Sequence, residues 1–205
     1  MENIPKNIIS VVDIEYGIVV KGDLFMVNKI NAEYFNSLAT DIHVNENKKW
    51  WYDQDGSEII NPDHRLLILV VSEIIESLEG YRKSLKDDKL PHRDMVEVEL
   101  ADAVVRMLDR MVGKKLGPFK NDYYKYIISG ECLDNDFTSQ LYHAVGLLTN
   151  PLTRDNTELI VYYLLDIGYT LGYDVISAID EKRNYNSTRV DHRYESRKKV
   201  KGKKF

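Results

Sequence analysis

The chain has 205 residues, 43% hydrophobic and 30% charged, enough to bury one sizeable core or one core with a small appendage. Its formal net charge of -5 excludes a general attraction to nucleic acid or to an anionic membrane, so a polyanionic ligand has to be met by a local feature. The single cysteine, Cys132, excludes an intrachain disulfide and a multi-cysteine zinc site, and fits a reducing compartment.

Residues 8–27 are rich in β-branched side chains and punctuated by Gly17 and Gly22, which predicts two short strands in a hairpin or ribbon. Residues 1–30 therefore read as a β-rich appendage. From Asn31 the spacing turns helical: Tyr34, Phe35, Leu38 and Ile42 lie on or beside one face, and a first helix is expected to end near Asn47. The segment WWYDQDGSEIINPDH carries Asp, Gly, Asn and Pro and reads as a loop into a helix that starts near Pro62 or Asp63 and runs to about Leu85. Within that helix LLILVV, residues 66–71, is apolar throughout and is expected to be buried on more than one side.

The charged KSLKDDKL connection is closed by Pro91, and MVEVELADAVVRMLDRMV makes a second long amphipathic helix ending at Gly113. Residues 114–135 read as irregular or as one short helix. Two helices are expected at 137–149 and 154–172, separated by Asn150-Pro151, and a last helix is capped by Asp174 and runs through ISAIDEKRNYNSTR. The basic tail, 193–205, has no apolar face and is expected to be solvated and disordered rather than a nucleic-acid arm. The body, 31–192, is thus one mainly α domain without repeats or linkers. No charged opening leads into an apolar stretch with a cleavage site, and no apolar run approaches the roughly 20 residues that span a bilayer. No membrane is expected, and a cytoplasmic location is.

Residues three apart on a helix lie on one face about a turn from each other, so Glu73 and Glu76 can direct two carboxylates to one place. Glu99 and Asp102 repeat that spacing on the next helix, and the short connection favours antiparallel packing, on which four acids converge. Such a cluster repels itself unless cations occupy it. Magnesium, a hard ion that takes a few carboxylates and completes its shell with water and phosphate oxygens, is the natural occupant, with manganese as a substitute. Both pairs border apolar stripes rather than a polar face. Glu79 and Glu97 read as surface acids, as Arg82 and Lys83 read as surface bases. Asp109 shares the face of Asp102 as a supporting group, and His43 reads as a partly buried structural residue.

The two pairs, Glu73-Ile-Ile-Glu76 and Glu99-Leu-Ala-Asp102, followed by Lys182, Asn186 and Arg189 in EKRNYNSTR, resemble the motifs of the MazG-like all-α nucleoside triphosphate pyrophosphohydrolases. That group includes the dimeric dUTPases and the dCTP pyrophosphatases. The likeness covers roughly 31–192 and is strongest at 62–110 and 174–192. Two positions depart from it: Ser72, where many members carry a further Glu, and Arg106, where dCTP-selective members carry a tyrosine.

The resemblance implies a four-helix-bundle core with extra helices, and a magnesium-dependent conversion of a ribo- or deoxynucleoside triphosphate to the monophosphate and pyrophosphate. Glu73, Glu76, Glu99 and Asp102 would hold the metal; Lys182 and Arg189 would meet the phosphates; Asn186 would meet a phosphate, the sugar or the base. By the same likeness Asn47, Trp50 and Trp51 are candidates for the base pocket, and His64 and Arg65 for nucleotide contacts at the helix entry. For both tryptophans, packing at the end of the bundle is an equal reading, and Tyr185 is open between stacking and packing. A homo-oligomer, dimer or tetramer, is implied, with LLILVV and IVYYLLDIGYTLGYD as the apolar area available for it; the alternative is that residues 137–172 cover that area within one chain. Two other classes stay open: a nucleotide- and metal-binding regulatory module without turnover, and a structural helical bundle with solvated acids.

Overall fold

The computed structural model describes residues 10–13, 18–21, 31–122 and 136–189. Cys132, the tyrosine-rich 123–135 segment, the tail from 190 and most of residues 1–30 lie outside these. Among the described residues the protein is mainly helical. Ser10–Asp13 and Ile18–Lys21 pair antiparallel, Val11 opposite Val20 and Val12 opposite Val19.

Helix α1, Ala32–Asp41, starts where the Asn31 side chain accepts the Tyr34 backbone N–H at 2.8 Å. It buries Phe35, Leu38 and Ala39 and continues without a break through a wider π-helical turn, Ile42–Asn47, into a short helix α2, Lys48–Trp51. Both tryptophans therefore end a helix instead of opening a loop, because the π turn carries the helical path past Asn47. Helix α3, Asp63–Lys83, begins behind Pro62 and stops at Ser84, whose left-handed backbone (φ 50) lets the Leu85 N–H return to the Gly80 carbonyl at 3.0 Å. The Ser84–Asp94 connection folds back on itself, with Met95 N–H donating to the Leu85 carbonyl. This sets α4, Met95–Gly113, antiparallel to α3. Gly80 permits the contact: a Cβ there would lie 2.9 Å from Met95 Cβ.

Helix α4 is the centre of the domain and packs against α1, the π turn, α3 and two later helices. Helix α5, Phe137–Leu147, is capped by Asp136, and α6, Arg154–Thr170, by Thr153. Helix α7, Val175–Thr188, is capped by Asp174, which accepts the Ser177 N–H at 3.0 Å. Phe35, Phe119 and Tyr162 meet as an aromatic cluster with centroids 5.3 to 5.6 Å apart and join α1 to α6.

Three expectations change. The run buried all round is Ile160–Leu165 on α6, while LLILVV is only half covered, with Ile68 57% exposed. The α6 face that offered apolar area for oligomerisation is thus consumed inside the chain, where Tyr162 and Tyr163 are buried. Glu97 is no surface acid: it is buried, 2.7 Å from Arg93, and accepts the Asp174 backbone N–H at 3.0 Å, tying the start of α7 to α4. Among the described residues, no single helix is long and apolar enough to cross a membrane.

Candidate metal and nucleotide site

One cleft of about 470 Å³ runs along α4 from Glu99 and Asp102 near its start to Asp109 and Arg110 near its end. At 1.5 Å per residue that path is roughly 15 Å long. Helix α3 forms one wall with Arg65, Leu66, Leu69, Glu73 and Glu76. Helix α7 closes the near end with Lys182, Asn186 and Arg189, and the α1–α2 segment closes the far end with Asn47, Trp50 and Trp51. Of the residues expected to hold metal or nucleotide, His64 does not line the cleft; it is exposed at the first turn of α3.

Glu73, Glu76 and Glu99 each direct a carboxylate oxygen to one locus, all within 4.8 Å of one another. Asp102 lines the same cleft and pairs with Lys182, whose Nζ lies 2.9 Å from one Asp102 oxygen and 3.7 Å from Asp87. Lys182 is buried, and burial alone would lower its pKa; Asp102, then Glu99 and Asp87, outweigh this and raise it. Asp87 is itself buried in the α3–α4 connection, where its other oxygen accepts the backbone N–H groups of Lys89 and Leu90 at 2.9 and 2.6 Å.

The acids respond to their crowding. Glu99 is pushed up to about 9 by burial, by its hydrogen bond to Glu73 and by the Asp102 charge. Burial also raises Asp102, against the pull of Lys182, and raises Glu76, assisted by the Glu73 charge. Glu73 is compensated by a cation: Arg106 places Nε 2.6 Å and Nη2 2.5 Å from the same Glu73 oxygen.

The far end is organised by Asp109. It accepts Trp51 Nε1–H at 3.0 Å and lies 2.8 Å from Nδ1 of the buried His43. Trp51 is buried against Gly113, where a Cβ would come within 2.4 Å of the indole, so it is a packing residue at the floor. Trp50 is half buried and lines the cleft beside Asn61, whose side-chain amide donates to the Trp50 carbonyl at 2.9 Å. Tyr185 lies under the Arg189 guanidinium, 5.9 Å from centroid to carbon.

Sequence reasoning missed Arg106, Asn61, Asp87 and the Asp88-Lys89 pair, which also borders the cleft. Arg106 is four residues after Asp102, so helical spacing alone puts it on the carboxylate face. Asp87 and Lys89 were hidden in a charge run that reads as a solvated loop, and only the return of α7 brings Lys182 to them. The arrangement offers hard oxygen donors for a divalent cation, flanked by fixed cations for an anionic ligand and an aromatic edge beyond.

Comparison with protein-family models, with curated proteins and with solved structures finds no match for this chain. The likeness to the MazG-like group rests on the motif residues themselves.

Proposed function

We propose that the protein is a magnesium-dependent nucleoside triphosphate pyrophosphohydrolase, taking a ribo- or deoxynucleoside triphosphate to the monophosphate and pyrophosphate. The observation that carries this reading is one cleft in which three carboxylates within 4.8 Å of one another lie beside Lys182, Asn186 and Arg189. An all-oxygen donor set suits magnesium, or manganese, and a cation among these crowded acids relieves their mutual repulsion. Glu73, Glu76 and Glu99, with Asp102, would hold a magnesium ion, which when bound would supply Lewis-acid polarisation of phosphoryl oxygens and acidify water.

The chain's own groups do the rest. Lys182, fixed between Asp102 and Asp87, is a point charge for the phosphates that cannot wander, and Arg189 adds a planar fork suited to paired phosphate oxygens. Asn186 orients that fork, its Oδ1 accepting from Arg189 at 3.4 Å. Trp50 and Asn61, about 15 Å along α4, are placed for the base, while Trp51 and Asp109 keep that wall rigid. In the reaction, a water oxygen bonds to phosphorus and its proton is released to solvent, while the bridging P–O bond between the α- and β-phosphates breaks and its electron pair stays on the bridging oxygen of the leaving group. The reading carries with it a MazG-like four-helix-bundle core, an N-terminal hairpin appendage, a cytoplasmic location and a homo-oligomer. Ile68 and Ile75, seven residues apart on one exposed face of α3, support the last.

Incubating the protein with a panel of NTPs and dNTPs and magnesium, and identifying products by ³¹P NMR, tests the proposal. Pyrophosphate and monophosphate are expected, and loss of product by at least 100-fold in Glu76→Gln and Asp102→Asn, on the scale of removing a group that stabilises the transition state. Nucleotide binding without turnover would make this a regulatory module. Neither binding nor turnover would leave a structural bundle.

A further inference from the structure

We infer that Arg106 is a displaceable counter-ion of the carboxylate triad that couples metal binding to phosphate binding; this rests on the metal reading above. Arg106 places two nitrogens, Nε at 2.6 Å and Nη2 at 2.5 Å, on one oxygen of Glu73. Glu73 is one of the three acids whose oxygens converge within 4.8 Å. A guanidinium in that position takes up lone pairs of one of the two oxygens that Glu73 can offer a cation, and its positive charge opposes an incoming ion beside the same carboxylate.

The two partners are unequally held. The Glu73 side chain is 7% exposed and fixed, whereas that of Arg106 is 39% exposed and borders the open cleft. The arginine is therefore the partner that moves, by rotating its stem while its head stays in the cleft. Lys182 differs: it is buried between Asp102 and Asp87 and has nowhere to go. A released Arg106 head shares the cleft with Lys182 and Arg189 and meets the phosphates bidentately.

Metal alone must break the Arg106–Glu73 pair, while metal arriving with a polyphosphate gives Arg106 a new partner. Each ligand then strengthens the other, and the coupling is reciprocal.

Calorimetric titration of Mn²⁺ into the full chain at one fixed pH, without phosphate, tests this on wild type, Arg106→Ala and Arg106→Lys. Arg106→Ala is expected to bind Mn²⁺ roughly tenfold more tightly than wild type, with Arg106→Lys between them. Repeating the titration with inorganic pyrophosphate, corrected for manganese pyrophosphate formed in solution, should tighten Mn²⁺ binding in wild type and do so several-fold less in Arg106→Ala. Unchanged or weaker Mn²⁺ binding by Arg106→Ala overturns the inference and leaves the metal site standing. No Mn²⁺ binding by wild type or variant removes the metal reading and this inference with it.

Discussion

Lys182 is held by two carboxylates from different parts of the chain, Asp102 on α4 and Asp87 in the α3–α4 connection. Replacing it with Met leaves buried Asp87 and partly buried Asp102 without that cation, and removing one partner of a buried pair costs up to about 3–5 kcal/mol. Lys182→Met should lower the melting temperature markedly in metal-free buffer, and magnesium should recover part of the loss; an unchanged melting curve would contradict the pairing. Glu99 yields a pH prediction at the same scale. Its folded carboxyl is raised from an ordinary 4.5 to about 9, so between those values the metal-free fold keeps a proton that the unfolded chain has lost. The stability this group contributes is full below pH 4.5 and is lost as pH rises toward 9. Metal-free wild type should therefore melt at progressively lower temperature from pH 6 to pH 9, and Glu99→Gln should flatten that slope. Equal slopes for the two would mean that Glu99 is ionised in the fold.

Helix α4 carries the site because its two halves present different groups on one face: Glu99 and Asp102, then Arg106, then Asp109. Its end is sealed by Trp51 on Gly113, so Gly113→Ala forces the indole away and should destabilise the fold by about 1–3 kcal/mol. A melting temperature unchanged by that substitution would refute the close contact. Much of this element structure was legible in the sequence. Asp63–Lys83, Met95–Gly113 and Val175–Thr188 follow from apolar spacing, Pro62, Gly113 and the Asp174 cap, which are local signals. The acid pairs are legible for the same reason, since three-residue spacing needs no tertiary information. Hidden were the relations between elements: that Lys182 pairs with Asp102, that Glu97 accepts the Asp174 N–H at the start of α7, and that Trp51 is buried at the floor while Trp50 is half buried. Nor could spacing rank LLILVV against IVYYLL for burial, because both runs are apolar and only the packing of α4, α5 and α7 around α6 decides between them. The π turn was hidden as well, since its i+5 bonding leaves no compositional mark and the helix simply outran its expected end.

At the scale of the molecule, α3 keeps an apolar face in water: Ile68 and Ile75 are 57% and 53% exposed, and Tyr142 on α5 is 84% exposed. Light scattering should report a dimer or larger species, and Ile68→Glu with Ile75→Glu should shift it toward monomer; a monomeric wild type would remove the oligomer from the account. The central claim is about chemistry, though, and it stands or falls on a cation and an anhydride meeting in one cleft. The most direct measurement is ³¹P NMR of a mixed NTP and dNTP panel with the protein, with and without magnesium. The account predicts pyrophosphate and nucleoside monophosphate from at least one nucleotide, only when magnesium is present, and not with Asp102→Asn. Orthophosphate and diphosphate products, turnover in chelator, or full activity in Asp102→Asn would contradict it.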